Sequence, residues 1–319
     1  MNPKQIELKA FAKINLSLDV QGLLDNGFHK VEMVMQQILL CDDVSVCWAP
    51  SEYKSGIDIL LSTNKYYLPK DARNLAYKAA LLMGDEFSGS DGAAWVSGGT
   101  VKIDIKKRIP VAAGLAGGSS DGAAVLHALN RLWNLNLSIS ELCILGAKLG
   151  SDVPFCIMGQ AAANHNLMTG YKDDPLACHC ALATGTGTEL RPIKGLKSHL
   201  VLSKPPIAVS TAQVYKGIDT VEIPAHPDND ALLDALEINH RETIKKNMVN
   251  VLENFTLKSY PMIVYTKNKI QYLCKSGCVL MSGSGPTVFG LCDSMKEAKY
   301  ICKQMLKDNK ESYWTRTTW

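Results

Sequence analysis

The run Pro110-Val111-Ala112-Ala113-Gly114-Leu115-Ala116-Gly117-Gly118-Ser119-Ser120 has the residue types of a phosphate cradle. Gly114, Gly117 and Gly118 lack a Cβ, so the backbone can turn sharply and bring its N–H groups close to a polyphosphate. Ser119 and Ser120 add hydroxyls and are good helix N-caps. From Asp121 to Trp133 apolar residues recur at three- and four-residue spacing (Val125, Ala128, Leu129, Leu132), which predicts a helix. A glycine loop feeding a helix N-terminus favours an anion, because unpaired N–H groups and the helix dipole point at it. The run matches neither the Walker A pattern nor the Gly-x-Gly-x-x-Gly of a dinucleotide fold. A Lys on an early strand, Lys13, and an Asp on a constrained turn, Asp152, complete what phosphoryl transfer asks for. Such transfer needs phosphate positioning, charge neutralisation and orientation of the attacking hydroxyl. Taken alone, Lys13 reads equally as a strand-edge charge, and Asp152 as a turn residue bonding its own backbone.

These groups need elements to hold them. Between Ile6 and Val20, Ile14, Leu16 and Leu18 alternate with Asn15, Ser17 and Asp19, the period of a half-buried strand with Lys13 and Asn15 on one face. Val31–Leu40, Val44–Trp48 and Val101–Ile105 read as strands and Asn74–Met83 as a helix. Ser138 and Glu141 form a capping box for a helix ending near Leu149. Gly150 then stops that helix, and Ser151-Asp152-Val153-Pro154 reads as a tight bend. Further on, Val201–Leu202, Ile207–Val209, Val279–Met281 and Val288–Leu291 read as strands. Asp230–Leu236, Ile238–Leu252 and Glu297–Leu306 read as helices, and Cys274 and Cys278 are placed on one helix face. The last two of those strands flank a second glycine loop, Ser282-Gly283-Ser284-Gly285-Pro286-Thr287.

The whole chain bounds the answer. Its 319 residues are 46% hydrophobic and 20% charged, ordinary for a folded protein of two domains or one large one. A net charge of +3 is too small to argue for nucleic acid. The one basic cluster, Lys106-Lys107-Arg108, is either a solvated strand end or a positive rim before the phosphate loop. No apolar run has the length of a membrane span, and no signal-peptide core opens the chain. Ten cysteines in that context read as reduced thiols in a cytoplasm. Cys178-His179-Cys180, with His165 nearby, fits no standard zinc spacing, so no metal ligand set is assigned.

Several segments together make the reading specific. Ala12-Lys13-Ile14-Asn15-Leu16 with Gly27-Phe28-His29, the 110–120 loop, Gly150-Ser151-Asp152-Val153-Pro154 and Met281 to Thr287 stand in the order seen in the GHMP kinase superfamily. Arg73-Asn74-Leu75-Ala76-Tyr77 and Asn130-Arg131-Leu132-Trp133-Asn134 fit as well. The chain resembles that superfamily over nearly its whole length. The resemblance implies an α+β GHMP kinase fold. An N-terminal ribosomal S5 domain-2-like domain would span 1–160 and an irregular connection 161–194. A C-terminal ferredoxin-like α/β sandwich would span 195–319. It implies an ATP-dependent kinase using Mg²⁺. Within the superfamily the chain is most similar to the branch that phosphorylates the 2-hydroxyl of 4-diphosphocytidyl-2-C-methyl-D-erythritol in non-mevalonate isoprenoid synthesis. Lys13 and Asp152 match the catalytic pair. Residues 110–120 match the ATP phosphate loop, and Asn74, Leu75 and Lys107 match positions near the adenine. Asn15 lies beside the catalytic pair, His29 matches the residue reading the cytosine edge, Phe28 and Tyr215 match its two aromatic faces, and Thr211 matches a substrate contact. The alternatives are another small-alcohol kinase of the superfamily, which would have no base to stack, or a non-catalytic nucleotide sensor. Two departures stand out. Phe28 replaces a frequent Tyr, and residues of about 161–180 are extra sequence, expected to form a surface excursion.

Overall fold

The computed structural model describes residues 4–25, 27–51, 53, 56–87, 96, 98–164, 169–171, 173–275 and 277–319. The chain divides into two units that interleave in sequence. Unit 1 takes Met1–Ala12, Cys41–Ile109 and Ala116–Cys178, and unit 2 takes Lys13–Leu40, Pro110–Leu115 and His179–Trp319.

Two long paired strands, β1 (Lys4–Leu23) and β2 (His29–Pro50), contribute to both units. The sequence suggests two strands within 31–48. They are one, because Asp43 stays in antiparallel register with Lys106 and no turn interrupts the ladder. On β1 the alternation is real but the strand is not half-buried. Ile14, Leu16 and Leu18 are buried on one face, and Lys13, Asn15, Ser17 and Asp19 are buried on the other. Buried polar groups must find partners, and these do: Ser17 Oγ meets Asn229 Oδ1 at 2.6 Å and Asp19 Oδ1 meets His226 Nδ1 at 2.6 Å.

Unit 1 continues with β3 (Ile57–Thr63), α1 (Leu75–Phe87), β4 (Gly99–Lys106), α2 (Gly117–Leu132), α3 (Ile139–Ala147) and α4 (Val153–Ala163). β4 pairs parallel with β3 and antiparallel with β2. α2 is buried on nearly every side, from Ser120 to Asn130. Its run of small residues lets α1 and α4 pack closely against it. The Ser138–Glu141 capping box forms as the sequence predicts, with Glu141 N donating to Ser138 Oγ at 3.2 Å and Ser138 N to Glu141 Oε2 at 2.8 Å. The bend at 151–154 is instead the start of α4. Pro154 fits there because the first helical turn has no use for its missing N–H.

Unit 2 holds β5 (Cys180–Thr184), β6 (Glu189–Pro192), β7 (His199–Lys204), α5 (Thr211–Ile218), α6 (Asn229–Ile238), α7 (Arg241–Asn247), α8 (Glu253–Ser259), α9 (Pro261–Leu273), β8 (Val279–Met281), β9 (Val288–Cys292), α10 (Met295–Met305) and β10 (Glu311–Arg316). β5 pairs antiparallel with β2 and with β6. A second, antiparallel sheet has the order β10-β7-β9-β8, and α9 and α10 pack on it. Three expectations fail here. Ile207–Val209 is not a strand, because Pro205 and Pro206 remove ladder donors and Ser210 already caps α5. Ile238–Leu252 is not one helix, since Asn239 turns left-handed at φ 55° and His240 caps α7 anew. Cys274 and Cys278 do not share a helix face, because Cys274 ends α9 in extended conformation.

Candidate active site

The glycine loop carries strongly turned backbone. Ala112, Gly114 and Ala116 all have positive φ, at 48°, 72° and 55°. Gly114 is obligatory for a second reason, since a Cβ there would lie 2.2 Å from the Ser282 carbonyl oxygen. α2 starts at Gly117, so Ser119 and Ser120 lie inside its first turns and do not cap it. Ala116 occupies the cap position and offers no side-chain acceptor. The opening turn thus lacks the usual internal partner for its N–H groups, which suits an anion. Ser120 is a structural hydroxyl, donating to Phe11 O at 2.7 Å.

In unit 1 the flanks of this loop are fastened by a buried charge cluster. Asp42 Oδ1 accepts from the backbone N of Arg108 and of Ile109, the latter at 2.8 Å. Its Oδ2 accepts from Lys107 Nζ, which also donates to Asp121 Oδ2 on α2 at 2.7 Å. Side chains of all three are 5% exposed or less. One ammonium therefore serves two carboxyls in a dry interior. Burial pushes the Asp121 carboxyl up to about 8 despite Lys107, and its Oδ1 has no hydrogen-bond partner. Burial works against the Lys107 charge, but Asp121 and Asp42 outweigh it and hold the ammonium above its usual range. The Lys106-Lys107-Arg108 cluster is consequently not a positive rim: Lys107 is buried in this clamp and Arg108 pairs with Asp43. Leu75 opens α1 against α2, where a Cβ on Gly122 would meet Leu75 O at 3.3 Å. Asn74 spends its side chain on backbone, donating to Pro69 O and accepting from Ala76 N, both at 3.0 Å. Asp152 is half-buried at the cap position of α4 and makes no capping bond.

Unit 2 gathers the other site residues. Lys13 Nζ donates to Asn15 Oδ1 at 2.9 Å, with both residues buried, and Lys13 N donates to Leu115 O at 3.2 Å. The second glycine loop packs on the first: Ser282 Oγ donates to Gly114 O at 2.9 Å. Asn250 holds that loop through Met281 O and Gly283 O, both at 2.8 Å. Thr211 Oγ1 lies 2.8 Å from Ser284 Oγ, so the start of α5 is tied to the same loop. One turn on, Tyr215 faces the His29 ring, with centroids 5.3 Å apart and planes tilted by 41°. At the end of α5, Asp219 takes His29 Nε2 at 2.8 Å and 3.0 Å through its two oxygens. Phe28 is 65% exposed.

Lys13 and Asn15 are thus brought together with Pro110–Leu115 and Thr211, and His29 with Tyr215, all in unit 2. Asp152, Lys107, Asn74, Leu75 and Gly117 to Ser120 belong to unit 1. Sequence reasoning missed Asp42, Asp121, Ser284 and Asp219. Asp219 had a signal, since Thr211, Tyr215 and Asp219 recur every four residues and so share one helix face.

Of the extra segment, residues 165–168 and 172, His165 included, lie outside the described residues. The described part up to Cys178 belongs to unit 1, and His179 onward to unit 2. Asn164 bonds Lys9 N and O, both at 3.2 Å, and the Tyr171 hydroxyl donates to Leu137 O at 2.7 Å. His179 Nδ1 is engaged by Gln37 Oε1 at 2.8 Å. Among the described residues no helix is long and apolar enough to cross a membrane.

The family model "GHMP kinases N terminal domain" matches residues 74–160. A Clostridium botulinum 4-diphosphocytidyl-2-C-methyl-D-erythritol kinase is 41% identical over 98% of this chain and all of its own length. A Clostridium novyi kinase of the same name is 42% identical over 97% of this chain and 99% of its own. A crystal structure of 4-(cytidine 5′-diphospho)-2C-methyl-D-erythritol kinase superposes with TM-score 0.74 at 27% identity, covering 98% of this chain and all of that one. A homoserine kinase from Cytophaga hutchinsonii shares the fold, with TM-score 0.68 at 18% identity over 98% of this chain and 94% of its own. At about 40% identity over nearly the whole length of both chains, these relatives show that the chain belongs to the GHMP kinases and, among them, to the 4-diphosphocytidyl-2-C-methyl-D-erythritol kinase family.

Proposed function

We propose that this kinase transfers the γ-phosphoryl group of ATP to the 2-hydroxyl of 4-diphosphocytidyl-2-C-methyl-D-erythritol, releasing the 2-phosphate and ADP in a cytoplasm. The observation carrying this is the near-complete coverage at about 40% identity of relatives that bear that substrate in their names. The 110–120 loop holds the phosphates through backbone N–H groups at the start of α2, with Asn74, Leu75 and Lys107 beside the adenine. The Lys107 ammonium is already taken by Asp42 and Asp121 and its backbone N–H by Asn64 Oδ1 at 2.8 Å, so what it keeps for a base is the second lone pair of a carbonyl that already accepts from Asn64 Nδ2 at 3.3 Å. Asp152 takes the proton of the acceptor hydroxyl as the new bond forms. Lys13, steadied by Asn15, supplies positive charge to that bond. Phe28 and Tyr215 stack on the cytosine, each face worth about 1–3 kcal/mol. His29 reads its edge, and Thr211 steadies the substrate.

The donor set fits Mg²⁺ carried in with the nucleotide. Among the described residues no His, Cys, Asp or Glu cage gathers, and Mg²⁺ characteristically relies on substrate phosphates, waters and one or two protein oxygens. The Ser119 hydroxyl on the first turn of α2 would hold it. When bound, the ion would neutralise phosphate charge. No nucleic-acid or membrane partner enters this reading.

The test is the product. Incubation with Mg²⁺-ATP and the cytidine substrate, followed by ³¹P NMR, is expected to show one new monoester signal beside an intact diphosphate. An unchanged substrate, or a phosphate on another hydroxyl, contradicts the assignment.

A further inference from the structure

Asp219 sits where helix chemistry disfavours it. A carboxylate at the C-cap of α5 faces the negative end of the helix dipole. Its own side chain is 52% exposed, so a pair with His29 adds little stability. Yet both its oxygens lie within hydrogen-bond distance of one atom, His29 Nε2, at 2.8 Å and 3.0 Å. The His29 side chain is only 8% exposed, and the Tyr215 ring packs beside it. A local preference broken without a stability gain points to a functional reason.

The chemistry of imidazole supplies one. A carboxylate is acceptor-only, so the atom facing it must carry the hydrogen. With Nε2–H given to Asp219, the neutral ring keeps its lone pair on Nδ1, which has no hydrogen-bond partner among the described residues. An Nδ1 acceptor matches an amino N–H and opposes a carbonyl oxygen. At the position where cytosine carries its 4-amino group, uracil carries a carbonyl.

We propose that Asp219 is a positioning residue that fixes His29 as the Nε2–H tautomer, so that Nδ1 selects cytosine over uracil. The inference rests on His29 reading the pyrimidine, as proposed above, and adds what sets the polarity of that reading. Thr211, Tyr215 and Asp219 then form one working face of α5: a tie to the second glycine loop, a stacking ring and an orienting carboxylate.

The experiment measures dissociation constants of CDP and UDP on the full chain with ADP filling the nucleotide site. The wild type is expected to favour CDP by about tenfold or more, the scale of one matched against one opposed hydrogen bond. Asp219→Ala should bring the two within about threefold, because a freed ring can expose Nδ1–H to a carbonyl. Asp219→Ser, too short to reach the ring, should do the same. Asp219→Asn keeps an oxygen that accepts Nε2–H and should keep most of the preference. In turnover, Asp219→Ala should raise KM for the cytidine substrate about tenfold while kcat and KM for ATP hold. ¹⁵N spectra of labelled histidine should place the His29 hydrogen on Nε2 in the wild type and on both nitrogens in Asp219→Ala. Undiminished CDP preference in both disrupting variants, or a wild-type Nδ1–H tautomer, overturns the role of Asp219 while leaving the base reading in place. Equal wild-type affinity for CDP and UDP overturns the base reading and this inference together.

Discussion

Lys107 and His29 are each a basic side chain held by carboxylate oxygens, one in each unit, and their settings differ in nearly every respect. Lys107 lies in a dry interior with two carboxyls, one of which also fastens the backbone of Arg108 and Ile109. His29 meets one half-exposed carboxylate at the end of a helix and packs at a tilt against a tyrosine. Desolvation makes the first cluster expensive to break, because removing the ammonium strands the Asp42 carboxylate in a dry interior. Solvent screens the second, so removing a partner costs the fold little. The buried pairing therefore serves shape, fixing the two flanks of the first glycine loop. The half-exposed pairing orients one ring, the ring proposed above to read the base.

The largest effect belongs to Lys107→Met, which leaves Asp42 and Asp121 buried without an ammonium. We expect a loss of about 3–5 kcal/mol in urea unfolding. A loss below about 1 kcal/mol would mean that water reaches the cluster and that it is no clamp.

Asp152 shares unit 1 with the clamp but is half-exposed, so its effect should fall mainly on rate. Asp152→Asn is expected to lower kcat by at least about a hundredfold with nucleotide affinity nearly intact. Near-normal turnover would remove Asp152 from the base role.

Asp121 gives the clamp a pH signature. Its carboxyl ionises near 3.8 when unfolded and near 8 in the fold, because burial raises it. Between those values the folded chain binds more protons, so this group's contribution is full below the lower value and is lost as pH rises toward 8. Stability of the wild type relative to Asp121→Asn should fall by on the order of 2 kcal/mol or more across that window. A flat difference in parallel denaturation curves would show that the buried carboxyl is ionised throughout.

His29→Ala is the smallest change. It should cost the fold about 1 kcal/mol, because a ring only 8% exposed is removed, and raise KM for the cytidine substrate about tenfold, with ATP little affected. Equal loss for both ligands would indicate a folding defect instead.

What the sequence made legible follows the range of the forces involved. The β1 alternation, the Ser138–Glu141 box and the helix after the glycine loop are local, and the structure has all three. Asp42 was invisible because its partners lie at Lys107, Arg108 and Ile109, on a segment no local pattern connects to it. The same holds for the partners that let the polar face of β1 be buried, Asn229 and His226, more than two hundred residues on. α4 was hidden by Pro154, which reads as a breaker until its place in the first turn is seen. The candidate site residues were named through the resemblance rather than from local pattern, whereas Asp219 stood out only once its two oxygens were seen on His29 Nε2.

The most direct test of the account is ADP release by the purified chain with Mg²⁺-ATP and three acceptors: the cytidine diphosphate substrate, mevalonate and homoserine. Turnover with the cytidine compound alone is the expected result, because only that acceptor offers a base for Phe28, His29 and Tyr215. Turnover with mevalonate or homoserine at comparable kcat/KM, or silence with all three despite ATP binding, would contradict it.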